Sequence, residues 1–425
     1  MEQTPKANRV HIGFFGRCNA GKSTLINMLT DQPVSLVSEV AGTTTDPVSK
    51  SMEILPLGPV VITDTAGIDD TSELGALRIE KSEEIIKKIN LAVYVLRNVE
   101  APTADDMIWL NTLKQNNVPI ALFINEINAS DSESAHDNDS NGNDTNLNYV
   151  DAYPDLSAIA TVVGFTDFTS NRDRLTLLDL LGGLTPLDVE GEQSLLQGLV
   201  DPGDTIILVC PIDSAAPKGR LILPQVQTIR EILDHKGLAL VCQTEELPTM
   251  LNKLSQKPKL VITDSQAFEA VNALTPADIP LTSFSILMAR FKGKLQDLVT
   301  GVKALNNLKP GARVLISEGC THRRQCDDIG TVKIPMWLKK KGHTDLQLEF
   351  TSGGAFPKDV SGYDLIIHCG ACMLTRREVL RRIDCAVVQG TPIVNYGVLI
   401  ASLHGILERA ISPFMDELDR KGFEC

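Results

Sequence analysis

Two short pieces of this chain carry side chains that bind soft metals: Cys320-Thr321-His322 and His368-Cys369-Gly370-Ala371-Cys372. A CxxC on a turn that leaves a strand aims two thiolates at one point, and Cys320 would add a third. Three thiolates beside an imidazole suit two metals. Tetrahedral zinc would be satisfied by a Cys3His set. An iron–sulfur cluster is held by thiolates, usually four. With three, one iron keeps an exchangeable position, for which His322, His368 and the carboxylates of Asp327 and Asp328 are the candidate donors. A lone cysteine or histidine is ordinarily a core residue; it is the joint pattern C-x-H…H-C-x-x-C that points to a metal.

A second constellation lies near the N-terminus. Gly16-Arg17-Cys18-Asn19-Ala20-Gly21-Lys22-Ser23 is a GxxxxGKS run. Its glycines let backbone N–H groups wrap phosphates, Lys22 reaches the β- and γ-phosphates, and Ser23 ligates Mg²⁺. Asn19, Ala20 and Thr24 belong to the same cradle, and the helix that starts there adds its positive end.

The elements that must position these groups can be read from apolar runs. Residues 10–15 read as a buried strand feeding the phosphate loop, and residues 24–29 as the helix after it. Val60-Val61-Ile62 leads into Asp64-Thr65-Ala66-Gly67, where Asp64 can hold the Mg²⁺ through water and the Gly67 N–H can meet the γ-phosphate. Gly42-Thr43-Thr44-Thr45-Asp46 lies between the two motifs, where a switch loop would close over the metal. Val314-Leu315-Ile316 and Leu365-Ile366-Ile367 are the strands expected to end at the two metal-binding pieces.

The three N-terminal motifs resemble those of the translation-factor-like branch of small GTPases, and Thr44 matches the switch ligand of Mg²⁺. Ile68 stands where Ras-like GTPases have a water-positioning Gln, so intrinsic hydrolysis is expected to be slow. Asn19 resembles the residue that holds a potassium ion in the tRNA-modifying subgroup, which implies potassium-stimulated hydrolysis. The base-reading motif departs from the pattern. The strand 118–124 should end in Asn-Lys-x-Asp and ends instead in Asn125-Glu126-Ile127-Asn128. The usual Asp accepts two N–H bonds from guanine, whereas Asn128 offers one acceptor and one donor group, which matches xanthine better. Thr169-Ser170-Asn171 is the nearest match to the next base-recognition loop. Residues 131–148 are rich in Asp, Asn and Ser and read as a disordered insertion.

Beyond Gly182-Gly183 and Pro186 the alternation starts again. Strand-like runs at 205–210, 238–242 and 259–263 enclose a helix-like stretch at 225–233, a small unit with a mainly parallel sheet. Cys210 and Cys242 sit inside apolar runs and read as core. The arginines at 376, 377, 381 and 382 read as a solvated helix face.

Cys320-Thr-His322 with His368-Cys-Gly-Ala-Cys372 resembles the cluster motif of HydF, the iron–iron hydrogenase maturation GTPases. So do Ala216-Pro-Lys-Gly-Arg-Leu-Ile-Leu-Pro-Gln225, Asp264-Ser-Gln-Ala-Phe268, Asp327-Asp-Ile-Gly330, Lys333-Ile-Pro335 and Asn395-Tyr-Gly397. The resemblance covers nearly the whole chain. It implies an α/β protein with an N-terminal P-loop GTPase domain at 1–183, a dimerisation domain at 187–297 and a cluster-binding domain at 300–425. It further implies a 4Fe–4S cluster on Cys320, Cys369 and Cys372, GTP, a dimeric or tetrameric homo-oligomer, and a role as scaffold and carrier of the two-iron subcluster. Two radical-SAM maturases and the apo-hydrogenase are the implied partners. The second reading is a tRNA-modification or ribosome-assembly GTPase with a structural zinc site.

Composition bounds these readings. A chain of 425 residues, 43% apolar, can bury about three domain cores. A net charge of −14 argues against a nucleic-acid partner. Nothing approaches the ~18 apolar residues of a membrane helix, and the N-terminus shows no presequence. Nine cysteines in a large chain read as ligands or thiols of a reducing cytoplasm rather than as a disulfide framework.

Overall fold

The computed structural model describes residues 9–17, 20–30, 48–54, 57–65, 84–97, 101–125, 154–165, 171–184, 194–212, 221–319 and 328–418. The chain divides into two compact units, Met1–Gly191 and Glu192–Cys425. The expected insertion at 131–148 lies outside the described residues.

The first unit is built on six strands: β1 (Val10–Gly16), β2 (Val48–Ile54), β3 (Gly58–Asp64), β4 (Leu91–Arg97), β5 (Ile120–Asn125) and β6 (Thr161–Phe165). Their order is β2-β3-β1-β4-β5-β6, parallel throughout except that β2 runs antiparallel to β3. Helices α1 (Lys22–Thr30), α2 (Ala104–Gln115), α3 (Pro154–Ile159) and α4 (Asn171–Leu184) cover it. Successive strand residues point to opposite faces, and adjacent Phe14 and Phe15 enter different cores. Phe14 packs with Leu25 and Ile26 of α1 and Leu177 and Leu181 of α4, while Phe15 packs with Tyr94 and with Trp109 and Leu110 of α2. Covered on both sides, β1 and β4 are almost continuously apolar.

The second unit holds two four-stranded, fully parallel sheets. The first is formed by β7 (Thr205–Val209), β8 (Leu238–Cys242), β9 (Leu260–Thr263) and β10 (Leu281–Ser283), in the order β10-β9-β7-β8. The second is formed by β11 (Arg313–Glu318), β12 (Gln347–Ser352), β13 (Leu365–His368) and β14 (Ile393–Asn395), in the order β12-β11-β13-β14. Counted within each sheet, the order is the same, second-first-third-fourth. The α-helices among the described residues are α5 (Leu223–Asp234), α6 (Leu247–Lys253), α7 (Phe268–Leu274), α8 (Phe284–Lys292), α9 (Leu295–Thr300), α10 (Val302–Leu305), α11 (Ile334–Lys340), α12 (Arg376–Val388), α13 (Tyr396–Leu403), α14 (Leu407–Ile411) and α15 (Met415–Leu418). One apolar core runs through both sheets. Cys210 and Cys242 are buried in it, as their apolar runs predict.

Candidate functional site

The phosphate loop springs from the end of β1. Gly16 and Gly21 both adopt positive φ (133° and 103°). A side chain at Gly16 would strike the Val95 carbonyl oxygen at 2.4 Å, and one at Gly21 the Asn125 amide at 2.5 Å, so only glycine fits either place. Lys22 is buried, its Nζ donating to the carbonyl oxygens of Gly16 (2.8 Å) and Arg17 (2.7 Å). Asn125, at the end of β5, braces the loop by donating from Nδ2 to the Ala20 carbonyl at 3.0 Å. Ser23 and Thr24 are exposed on the first turn of α1. Asp64 ends β3 with its Oδ1 buried and without a hydrogen-bond partner. Burial raises its pKa, and the nearby Lys22 charge pulls it back. An orphaned carboxylate oxygen beside the cradle suits a hydrated Mg²⁺, so these residues fit the metal that the motif implies. Asn19, Thr44, Gly67 and Asn128 lie outside the described residues.

Sequence reasoning missed an anchor on this loop. Asp106 of α2 is fully buried and accepts from Tyr94 Oη (2.8 Å), Thr103 N (2.8 Å), Thr103 Oγ1 (2.7 Å) and Arg17 Nη2 (2.9 Å). Thr103 and Asp106 form a capping box, so the cap of α2 also grips the second residue of the phosphate loop. Burial alone would raise the Asp106 pKa; the bonds from Thr103, Tyr94 and Arg17 outweigh it and hold the carboxyl below its ordinary value.

The second candidate site opens at the end of β13. Cys369 and Cys372 flank a tight turn in which Ala371 takes a left-handed φ of 55°, a conformation that costs a non-glycine residue energy and clusters at functional sites. Cys369 Sγ accepts from the Gly319 N–H at 3.0 Å and, more loosely, from Ala371 N–H at 3.4 Å. The first bond ties the CxxC turn to the residue directly before Cys320. Burial pushes the Cys369 thiol up to about 11, partly offset by these two N–H groups, and burial likewise raises Cys372, with Lys292 opposing. A metal would displace both protons. Cys320, His322 and Asp327 lie outside the described residues, and among the described residues no three His, Cys, Asp or Glu side chains gather into a metal site.

His368 is committed elsewhere. Its Nδ1 lies 2.9 Å from the Cys369 carbonyl, to which it must donate, and its Nε2 accepts from Arg382 Nη1 at 3.2 Å. Burial and the Arg382 charge hold it neutral, with a pKa pushed down to about 4. In this arrangement both ring nitrogens are engaged in hydrogen bonds. Arg382 departs from the expected solvated helix face: it is wholly buried, bonded to Glu378 Oε1 (2.7 Å), the Gly353 carbonyl (2.6 Å) and His368, and lies over the Phe356 ring. Beside the same site the Tyr396 hydroxyl donates to Glu318 Oε1 at 3.2 Å.

Comparison with known proteins separates the two units. Residues 11–126 match the model of the 50S ribosome-binding GTPase family. Residues 195–293 match the hydrogen maturase F dimerization domain, and residues 296–413 its tetramerization domain, together just over half of the chain. The chain belongs to the hydrogen maturase F (HydF) family. Its first unit carries the GTPase domain, which binds GTP and Mg²⁺, and its second the family's dimerization and tetramerization domains. Relatives that are tRNA-modification and Der GTPases match over about a quarter of this chain. The tRNA modification GTPase MnmE of Heliobacterium modesticaldum is 35% identical over 112 residues, 26% of this chain and 23% of the relative. GTPase Der of Wolinella succinogenes is 36% identical over 108 residues, 25% of this chain and 22% of the relative. This chain thus spans about a quarter of the length of such relatives. Era of Aquifex aeolicus is 19% identical over 54% of this chain and 91% of that one, with a TM-score of 0.34, too low to carry argument. No helix among the described residues is long and apolar enough to cross a membrane.

Proposed function

We propose that this HydF chain is a GTP-hydrolysing scaffold that holds a 4Fe–4S cluster on Cys320, Cys369 and Cys372 and carries the two-iron subcluster to apo iron–iron hydrogenase. The observation that carries the reading is the 3.0 Å bond from Gly319 N–H to Cys369 Sγ. It brings the residue next to Cys320 against the CxxC turn, as a three-thiolate set requires, and N–H bonds to sulfur suit thiolate ligands. The bonds of His368 to Arg382 and the Cys369 carbonyl favour His322, or Asp327, over His368 for the exchangeable position on the fourth iron. The cluster would supply a Lewis-acidic iron with a replaceable ligand. Three working parts, 1–183, 187–297 and 300–425, match this division of labour, the last two each holding one parallel sheet. The radical-SAM maturases and the apo-hydrogenase are the partners of the reading, and a reducing cytoplasm is its setting, in keeping with five free cysteines among the described residues.

In the nucleotide site, Asn19 would hold a potassium ion that stimulates hydrolysis, and Asn128 would loosen the preference for guanine. Thr44 and Gly67 would close over the Mg²⁺ and γ-phosphate. Anaerobic reconstitution tests the whole reading. The wild-type chain should take up iron and sulfide and turn brown, Cys369→Ala should stay colourless, and Lys22→Ala should lose GTP hydrolysis while keeping the cluster. A colourless wild-type chain with one zinc would remove the carrier role.

A further inference from the structure

The two sheets of the second unit are related more closely than by strand order. Their registers make Val209 and Ser317 equivalent, as are Thr263 and His368, and Ser283 and Asn395. Ser283 and Asn395 do the same work: each side chain caps the helix after the fourth strand, accepting from Ile286 N and Val398 N respectively. Two residues further on in each half stand Ser285 and Gly397, and these equivalents touch, the Gly397 N–H donating to Ser285 Oγ at 3.1 Å. Contact between equivalent residues is what a twofold relation between the halves demands.

The relation extends to the helix ends. Lys292 ends α8 and its equivalent, His404, caps the end of α13. Each reaches the segment that follows the third strand of the other half, His404 meeting the first turn of α7 and Lys292 a tight turn. His404 Nδ1 meets Glu269 Oε2 at 3.3 Å. Lys292 Nζ donates to the carbonyls of Leu374 (2.7 Å) and Cys372 (3.0 Å), and more loosely to Ala371 (3.4 Å). The turn that Lys292 holds is the CxxC turn.

We propose that Lys292 is the positioning residue of the cluster turn, a buried ammonium sent from the first half of the unit into the second. The inference rests on the cluster reading above. Three features of the contact carry it. The side chain is 2% exposed, and a buried cation persists only where it is fully engaged. Its acceptors are the backbone carbonyls of the turn on which Ala371 is strained, so it fixes the direction of both cysteines. Its charge stands beside Cys369 and Cys372, and would offset the negative charge of their thiolates, if they held a cluster, where water cannot. The equivalent pair on the other side, His404 and Glu269, touches no cysteine turn and provides an internal control.

The test uses the full-length chain, reconstituted anaerobically with iron and sulfide, as wild type, Lys292→Gln, Lys292→Arg and His404→Gln. Lys292→Gln should lose its cluster to a chelator about tenfold faster, the scale on which groups supporting metal ligands act. Its reduction potential should shift to more negative values, because a nearby positive charge favours the reduced cluster. Lys292→Arg should recover most of the potential, and His404→Gln should behave as wild type in both readouts. Equal bleaching rates and potentials in wild type and Lys292→Gln overturn the proposal. So does a His404→Gln variant that shifts the potential as far as Lys292→Gln, and so does a Lys292→Arg variant no better than Lys292→Gln, since either would mean general loosening of the unit. A wild-type chain that binds no cluster defeats the cluster reading itself, and this inference with it.

Discussion

Asp106 is a single carboxylate that makes a helix cap and a phosphate loop depend on each other. Replacing it with Asn leaves an amide facing Thr103, Tyr94 and Arg17, which all donate to that place. Breaking a buried charged network costs up to several kcal/mol, and Arg17 is partly solvated, so Asp106→Asn should destabilise the first unit by about 2 kcal/mol. The pH dependence follows from the depressed pKa. A carboxyl held lower in the folded than in the unfolded state contributes fully above its ordinary value of 3.8, and the contribution fades as pH falls through the folded value. The gap between wild type and Asp106→Asn in urea titrations should be constant near neutrality and close below about pH 4; a gap that widens on acidification would contradict this assignment. Little of this network was legible beforehand. Arg17 lies in a recognised motif, yet its partner is far along the chain, and periodicity says nothing about such pairings. Lys292 ends a mostly apolar stretch and reads as the polar end of a helix. Arg382 was hidden among other arginines. Only Glu378 signalled otherwise, standing three and four residues before Arg381 and Arg382, the spacing of helical ion pairs.

Among the elements, legibility followed burial. Strands covered on both faces, β1, β5, β7, β9, β11 and β13, announce themselves as apolar runs, and the chemistry-bearing motifs sit at their ends because a parallel sheet presents its loops there. β12 went unread: it is an edge strand with the polar sequence Gln-Leu-Glu-Phe-Thr-Ser, and Phe350 on it is exposed. β10 and β14 have three residues each, too few to show a period. Their importance lies in the helices they launch. At Gly397 a Cβ would lie 2.8 Å from Ser285 Cβ and 3.0 Å from the Ile286 nitrogen, so α8 and α13 meet closely only because that residue has no side chain. Gly397→Ala must push the two helices apart and should cost about 2 kcal/mol, the scale of overpacking a well-filled core. The loss should appear in the unfolding transition of the second unit and leave GTP hydrolysis by the first unit unchanged. A neutral or stabilising Gly397→Ala would mean that the halves are not held at this point.

At the scale of the whole molecule, the question is what covers β8. It is an edge strand of its sheet, and its sequence Leu-Ala-Leu-Val-Cys is apolar, yet Leu238 is 57% and Val241 44% exposed. Leu233 and Val226 on α5 add further exposed apolar surface in the same half. An uncovered apolar edge pairs with other chains unless something blunts it, and β8 carries no proline, lysine or bulge to do so. The hydrogen maturase F dimerization domain spans this stretch, which argues that the occupant is a second copy of the chain, added edge to edge. A lysine at either exposed position would place an ammonium in that seam and bury it on association, at a cost of several kcal/mol. Leu238→Lys combined with Val241→Lys should therefore halve the mass of the smallest stable assembly measured by light scattering, while leaving nucleotide binding intact, because neither residue belongs to the GTPase unit. If the doubly substituted chain kept the wild-type mass across the micromolar range, β8 would not be the seam, and the apolar edge would need another partner.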